Sequence, residues 1–480
     1  MSEKKARYLT TTLPYVNADP HVGFAAEVLN ADALARYWRL IGHEVFFNTG
    51  TDEHGQKLAD KADEKGQSRQ DYVDHFANEF RKLGEALNLS YDRFIRTTDA
   101  DHKIAAQAIW KKCLLNGDIY KKKYKGLYCV GDEMFLRDSD LVDGKCPNHP
   151  NMEPQMVEEE NYFFALSKYQ DYLKDYLSKE GVVEPEWRRL EALKFVEGGL
   201  EDFSISRERS RLDWGIDVPD DENQVMYVWF DALTNYISTL GWPEDKDGNF
   251  KKFWEEGETT QLAGKDQIRF QSIMWQAMLK SAGVKATDKV VYHGFITSGG
   301  QKMSKSLGNT LNPFDLVARY GTEATRYLLL RHVHPFEDSD ITIERLDELY
   351  TAGLVNGLGN LVARVMKMAE THLDEPITRP EAVGFAKEYV EALDNFNIQA
   401  AVDYVWSKVG ELDERIAETE PFKLVKTDKT AAIKIITDLV SDLYIVARML
   451  HPFMPDTSRI IKEAILQNKK PENLFNRLEG

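Results

Sequence analysis

The chain has few of the features that would place it outside an ordinary enzyme class. Of its 480 residues only three are cysteines, Cys113, Cys129 and Cys146. That small, odd number argues against a disulfide framework and for a reducing cytoplasm. No stretch approaches the ~18 consecutive apolar residues of a membrane span, so no membrane partner is expected. The opening "MSEKKARYLTTTLPY" lacks the apolar run of a secretory signal. There is no internal repeat and no low-complexity linker. Positive charge is in deficit too: the net charge is -18, which taken alone argues against a phosphate-rich partner. A local basic patch could still exist. "KKCLLNGDIYKKKYKG" (Lys111–Gly126) is the obvious candidate, and a solvated helix end and turn is its simpler reading.

What is present is a globular composition, 42% hydrophobic and 11% aromatic. The length is too great for one core. "RYLTTT" predicts a short strand, "HVGFAAEVLNADALARYWRLIGH" a helix ending near Gly42, and "EVFFNTG" a second strand, with "TDEHG" as the turn after it. This β-loop-α-β order opens a parallel α/β sheet. His21 and Asp52 fall at its strand-to-turn positions, where ligands of such sheets sit. The pattern breaks at about Ile119 and resumes near residue 226. From about Asp340 the chain reads as amphipathic helices, a C-terminal bundle.

Two motifs carry chemistry. In "PHVGF", His21 stands at a helix entrance, and Gly23 would let a ligand approach the backbone. In "GGQKMSKSLGN", Lys302 and Lys305 lie on a glycine-flanked loop that suits a triphosphate. Each alone is matched by a bland reading, a capped surface helix or a charged loop. Together, in this order, they resemble the HIGH and KMSKS signatures of class I aminoacyl-tRNA synthetases. With "TTTLPYVNADPHVGF", "TGTDEHGQK", "DFSISR", "WGIDVP", "VWFDALTNYI", "GKDQIRF" and "GLGNLVARV", the resemblance narrows to the methionyl-tRNA synthetases over nearly the whole chain.

That resemblance implies ATP-dependent activation of L-methionine and its transfer to tRNA(Met), with magnesium accompanying ATP. It implies a Rossmann-like parallel-sheet domain split by an inserted knuckle domain and followed by an all-α anticodon-binding bundle. The expected divisions are 1–118, 119–225, 226–310, 311–345 and 346–480. Leu13, Tyr15, Trp229, Ala232, Tyr236, Phe270 and Trp275 would surround the methionine side chain, where core packing is the alternative for the aromatics, and Asp52 would take its ammonium group. ATP would meet His21, Gly23, Phe24, Gly264, Asp266, Ile296, Lys302, Ser304 and Lys305. Asn360, Arg364 and Phe422 would read the anticodon. A cytoplasmic monomer is expected, without an appended tRNA-binding barrel.

The chain departs from the family pattern in four places. Phe24 replaces the second histidine of HIGH and cannot donate a hydrogen bond. Gln271 stands where the family often has histidine, and Phe422 where it commonly has tryptophan. Cys129, Asp132, Cys146 and His149 form a C-x-x-D…C-x-x-H array where relatives often hold zinc through cysteines. Structural zinc and a metal-free knuckle both remain open. So do two rival classes: an adenylyl-transferring enzyme that needs no tRNA, and a catalytically dead tRNA-binding relative.

Overall fold

The computed structural model describes residues 5–130, 134–136, 141–147, 151–302, 311–380 and 384–478. Contacts divide the chain into two compact units, each assembled from separate stretches of sequence. Unit 1 comprises residues 1–20, 43–82 and 91–292; unit 2 comprises 21–42, 83–90 and 293–480.

Unit 1 is built on a six-stranded sheet. Its order is Arg93–Arg96, Glu44–Thr51, Ala6–Thr10, Glu258–Gly264, Lys289–His293 and Val183–Glu184. The first three strands, the Ala6–Thr10/Glu258–Gly264 pair and the last pair run parallel. The strand expected at residues 7–12 is there as Ala6–Thr10, starting one residue earlier and ending two earlier. Parallel strands are buried on both faces and tolerate continuous apolar runs. The core between them is rich in aromatics, with Trp110, Trp254 and Trp275 almost wholly enclosed. The edge strand Val183–Glu184 comes from the stretch read as the insert.

A second, four-stranded antiparallel sheet contains Met134–Leu136, Ile119–Cys129, Gln155–Phe164 and Phe203–Ser204. It changes the reading of the lysine-rich segment. The preceding helix ends at Leu115, and Lys121–Lys125 lie within a strand. Its neighbour carries Glu158, Glu159 and Glu160, and Lys123 and Lys125 stand directly opposite Glu160 and Glu158. Lys121 also bonds Asp221 at 2.9 Å. The basic cluster is half of a cross-strand charge ladder, not a helix end and not an open phosphate surface.

Unit 2 is mainly helical. The long pattern beginning at Ile343 forms a helix to Tyr350, a wider π-helical turn over Thr351–Gly359, and a helix over Asn360–His372. The main later helices are Ile398–Thr419, Lys429–Leu450 and Pro455–Leu466. Asp32 and Arg326 form an ion pair at 2.7 Å with both side chains fully enclosed. Arg326 also donates to the carbonyls of Phe453, Leu87 and Pro452. Asp32 accepts from Arg36 and from the amide and hydroxyl of Ser90. Burial would push the Asp32 carboxyl up, but Arg326 and Arg36 hold it below the usual range.

His451 lies near this pair. Burial first, then Lys462 and Arg36, lowers its imidazole to about 4, against the opposing pull of Asp32. His332 is lowered to about 4 by burial and Arg331. Unfolded histidine titrates near 6.5. Between about pH 6.5 and about pH 4 the unfolded chain therefore binds protons that these folded sites do not, and stability falls with acidification. Thermal melts across that interval are expected to move to lower temperature. His451→Asn is expected to shrink the movement, and an unchanged slope would refute the assignment.

Candidate active site and RNA-binding surface

In unit 1 an isolated rung lies beyond the paired strands, one residue past Thr51 on one side and five past Thr10 on the other. Tyr15 and Asp52 form a parallel bridge. The Asp52 amide donates to the Pro14 carbonyl at 3.0 Å, and the Val16 amide donates to the Asp52 carbonyl at 3.2 Å. Leu13 and Tyr15 are half-buried on this segment, and Asp52 is buried. Trp229 and Phe270 stack with ring centres 3.9 Å apart and planes 13° apart. Tyr236 packs against Trp275 at 5.8 Å. The Gln271 amide, assigned with its nitrogen toward Tyr236, donates to that hydroxyl at 2.7 Å. Ala232 is buried on the same helix as Trp229. The side-chain oxygen of Gln271 and the indole N–H of Trp275 are buried without hydrogen-bond partners among the described residues, so the cluster retains polar capacity inside an apolar shell.

Three residues escaped sequence reasoning because nothing local marks them. His54 Nδ1 lies 3.1 Å from Asp231 Oδ2. His102 Nε2 lies 3.9 Å from Asp231 Oδ1, and His102 Nδ1 is 2.9 Å from the Ser238 hydroxyl. Asp231 is fully buried. Burial pushes its carboxyl up, but His54 and His102 more than offset this and hold it below the usual range. The link joins the turn bearing Asp52 to the helix bearing Trp229 and Ala232. A second tie runs from Asn48 to Asn235 and Thr239. Between Asp52 and His54, Glu53 is clamped by Arg96 through two bonds, of 2.6 and 2.8 Å, and by Thr51 and Thr98. The three consecutive side chains of "DEH" thus serve three different purposes. The signal available in sequence was the density of ionisable residues beside a strand end.

In unit 2, His21 caps the Val22–Leu40 helix. Its Nδ1 accepts from the amides of Gly23 at 3.1 Å and Phe24 at 3.3 Å. The ring proton must then sit on Nε2. Burial is the main cause lowering the His21 pKa; His293 adds to it and Glu27 opposes it. His21 is therefore a neutral N–H donor. A Cβ at Gly23 would lie 3.0 Å from Cε1 and Nδ1 of His21, so the imidazole also approaches the backbone closely here. Phe24 is buried. Glu27 Oε2 lies 2.8 Å from His293 Nε2, while His293 Nδ1 faces the Gly294 carbonyl at 2.8 Å. Both ring nitrogens face oxygen, so one proton lies between Glu27 and His293.

Ile296–Ser298 pairs antiparallel with Gln301–Lys302 through a two-residue turn, and parallel with Ser339–Asp340. Both turn residues, Gly299 and Gly300, have positive φ, +62° and +74°. A hairpin turn of this kind needs such residues, so the glycines shape a turn rather than merely loosen a loop. Ile296 is half-buried on its strand. The backbone of Lys302 is on the hairpin; Ser304 and Lys305 lie outside the described residues. In unit 1, Gly264 ends its strand buried and Asp266 is exposed.

Also in unit 2, Arg364 bonds Asp413 at 2.7 Å. Arg364 and the exposed Phe422 line one cavity of about 430 Å3. Asn360 is exposed at the start of the same helix as Arg364 but is not among the lining residues. In the knuckle segment Cys129 and Cys146 are buried together against Leu136, with Leu141 alongside, and form no disulfide. Asp132 and His149 lie outside the described residues. Among the described residues no group of three or more potential metal ligands occurs.

Two substitutions probe this geometry. Gly23→Ala is expected to push His21 off its cap and lower the activation rate at least tenfold; unchanged activity would show that the cap is dispensable. Asp231→Ala is expected to raise the KM for the amino acid about tenfold, or about 1.4 kcal/mol, with the KM for ATP nearly constant. Equal changes in both would point to general loss of structure.

A family model described as tRNA synthetases class I (M) matches residues 7–153 and 148–366. The methionine–tRNA ligase of Caldanaerobacter subterraneus is 40% identical across 96% of this chain and 74% of its own length. That of Thermosynechococcus vestitus is 41% identical across 94% and 88%. Among solved structures, Mycobacterium tuberculosis methionyl-tRNA synthetase in complex with methionyl-adenylate superposes with a TM-score of 0.87 at 36% identity, covering 95% of this chain and 93% of that one. The central parallel sheet, the insertion and the C-terminal helices are those of this group. The chain belongs to the methionine–tRNA ligase family of class I aminoacyl-tRNA synthetases.

Proposed function

We propose that the chain activates L-methionine with ATP and transfers it to tRNA(Met). The observation that carries the reading is the buried Asp52 bridged to Tyr15 and linked through His54 and Asp231 to the Trp229–Phe270 stack. A carboxylate suits an ammonium group, and an aromatic enclosure suits a polarizable thioether.

The methionine carboxylate attacks the α-phosphorus of ATP, and pyrophosphate leaves with the bonding pair. A terminal ribose hydroxyl of tRNA then attacks the adenylate carbonyl and releases AMP. Neither step demands much of side-chain acids or bases; positioning and charge stabilisation carry the rate. His21 contributes a neutral Nε2–H, so positive charge falls to Lys302 and Lys305, with magnesium on the phosphates. Gly23, Phe24, Gly264, Asp266, Ile296 and Ser304 complete the ATP contacts. Leu13, Ala232, Tyr236, Gln271 and Trp275 complete the methionine pocket. Asn360, Arg364 and Phe422 take anticodon bases, the phenyl ring by stacking.

In this reading residues 1–118 and 226–310 form the catalytic domain, 119–225 the connective insert, 311–345 the stem-contact segment and 346–480 the anticodon domain. The protein acts as a cytoplasmic monomer. A structural zinc on Cys129, Asp132, Cys146 and His149 is added to the proposal on the strength of two adjoining buried thiols. It takes no part in either step.

Methionine-dependent exchange of labelled pyrophosphate into ATP, followed by charging of tRNA(Met), tests the reading. Exchange with methionine alone among the amino acids is expected. No exchange would overturn it, and exchange with a different amino acid would reassign the substrate. Metal analysis of the same preparation is expected to find about one equivalent of zinc; less than about a tenth would remove the metal.

A further inference from the structure

The cavity beside Arg364 has two kinds of wall. Ala363, Met368, Ile416 and Phe422 give it an apolar lining suited to a planar ring, while Arg364, Lys367 and Lys470 supply cations. Two of the cations already have carboxylate partners. Arg364 bonds Asp413 at 2.7 Å, and Lys367 bonds Glu370 at 3.0 Å. Lys470 has no carboxylate partner among the described residues.

Its position is nevertheless fixed. The backbone amide of its neighbour Lys469 donates to the Ala464 carbonyl at 3.0 Å. The side-chain amide of Asn468 donates to the Leu373 carbonyl at 2.9 Å. The segment after the last helix is thereby fastened to the end of the Asn360–His372 helix, and it delivers one unneutralised cation to the rim of an apolar slot. A nucleotide has the matching shape: a flat base joined to one negative phosphate. An amino acid side chain or a lipid tail would use the slot but not the cation.

We propose that Lys470 contacts the backbone phosphate of the single-stranded RNA nucleotide whose base enters the Arg364–Phe422 cavity. The inference rests on the anticodon reading above and adds to it a residue that positions the RNA without reading its sequence. A phosphate contact and a base contact differ in a measurable way. Neutralising one phosphate of a single strand contributes about 0.7 to the slope of log affinity against log salt. It does so equally for every base sequence.

The test uses the full chain and a tRNA(Met) transcript, with affinity measured by fluorescence anisotropy over a range of potassium chloride. Lys470→Ala is expected to reduce the salt slope by about 0.7 and weaken binding about fourfold at about 0.15 M salt. The loss should be the same for cognate and substituted anticodons, and Lys470→Arg should restore the slope. Phe422→Ala is expected to do the opposite: to leave the slope intact and erode anticodon preference. An unchanged slope in Lys470→Ala, or a loss that depends on the anticodon base, overturns the proposal while the wild-type preference still stands. A wild-type chain with no preference for the methionine anticodon overturns the anticodon reading, and this inference with it.

Discussion

Unit 2 depends on one buried ion pair. Its three stretches of sequence meet at Asp32 and Arg326: Asp32 and Arg36 come from the first, Leu87 and Ser90 from the second, Arg326, Pro452 and Phe453 from the third. Removing two charges from water is expensive, and such a pair often gains less than a hydrophobic substitute would. Here the guanidinium also serves three main-chain carbonyls that would otherwise be buried unbonded. An apolar substitute would leave all three without a donor. The pair therefore acts as a fastener for backbone as much as a source of net stability.

Unit 1 uses buried charge in a similar way at smaller scale. Asp231 between two imidazoles, and Glu53 inside the Arg96 clamp, hold the turn that carries Asp52. Neither carboxylate is placed to meet a substrate in the proposed chemistry. Their work is to keep one carboxylate and one aromatic stack at a constant separation. Precise geometry of this kind supplies most of the rate in a reaction that needs little proton transfer.

What could be read from sequence followed from what is local. His21 at a helix entrance and the early strands with their crossover helix are encoded within a few neighbouring residues each. A capped helix is the bland reading of "PHVGF"; what is not legible is that the His21 ring itself supplies the cap, accepting through Nδ1 where Gly23 leaves it room. The lysines at 121–125 read as solvated because their partners, Glu158 to Glu160, are supplied by strand register. His54 and Asp231, 177 residues apart, carry no mark of each other. The division into two discontinuous units was equally hidden, since it is a property of contacts rather than of composition.

The three-piece construction has a consequence for synthesis. Arg326 is 239 residues from Leu87 and 127 from Phe453. Unit 1 has all its sequence once Tyr292 leaves the ribosome, whereas unit 2 lacks its closing carbonyls until Phe453 does. Contacts this distant form late. Asp32, on the helix headed by His21, must therefore wait 294 residues of synthesis for Arg326, and longer for the carbonyls that hold Arg326 in place.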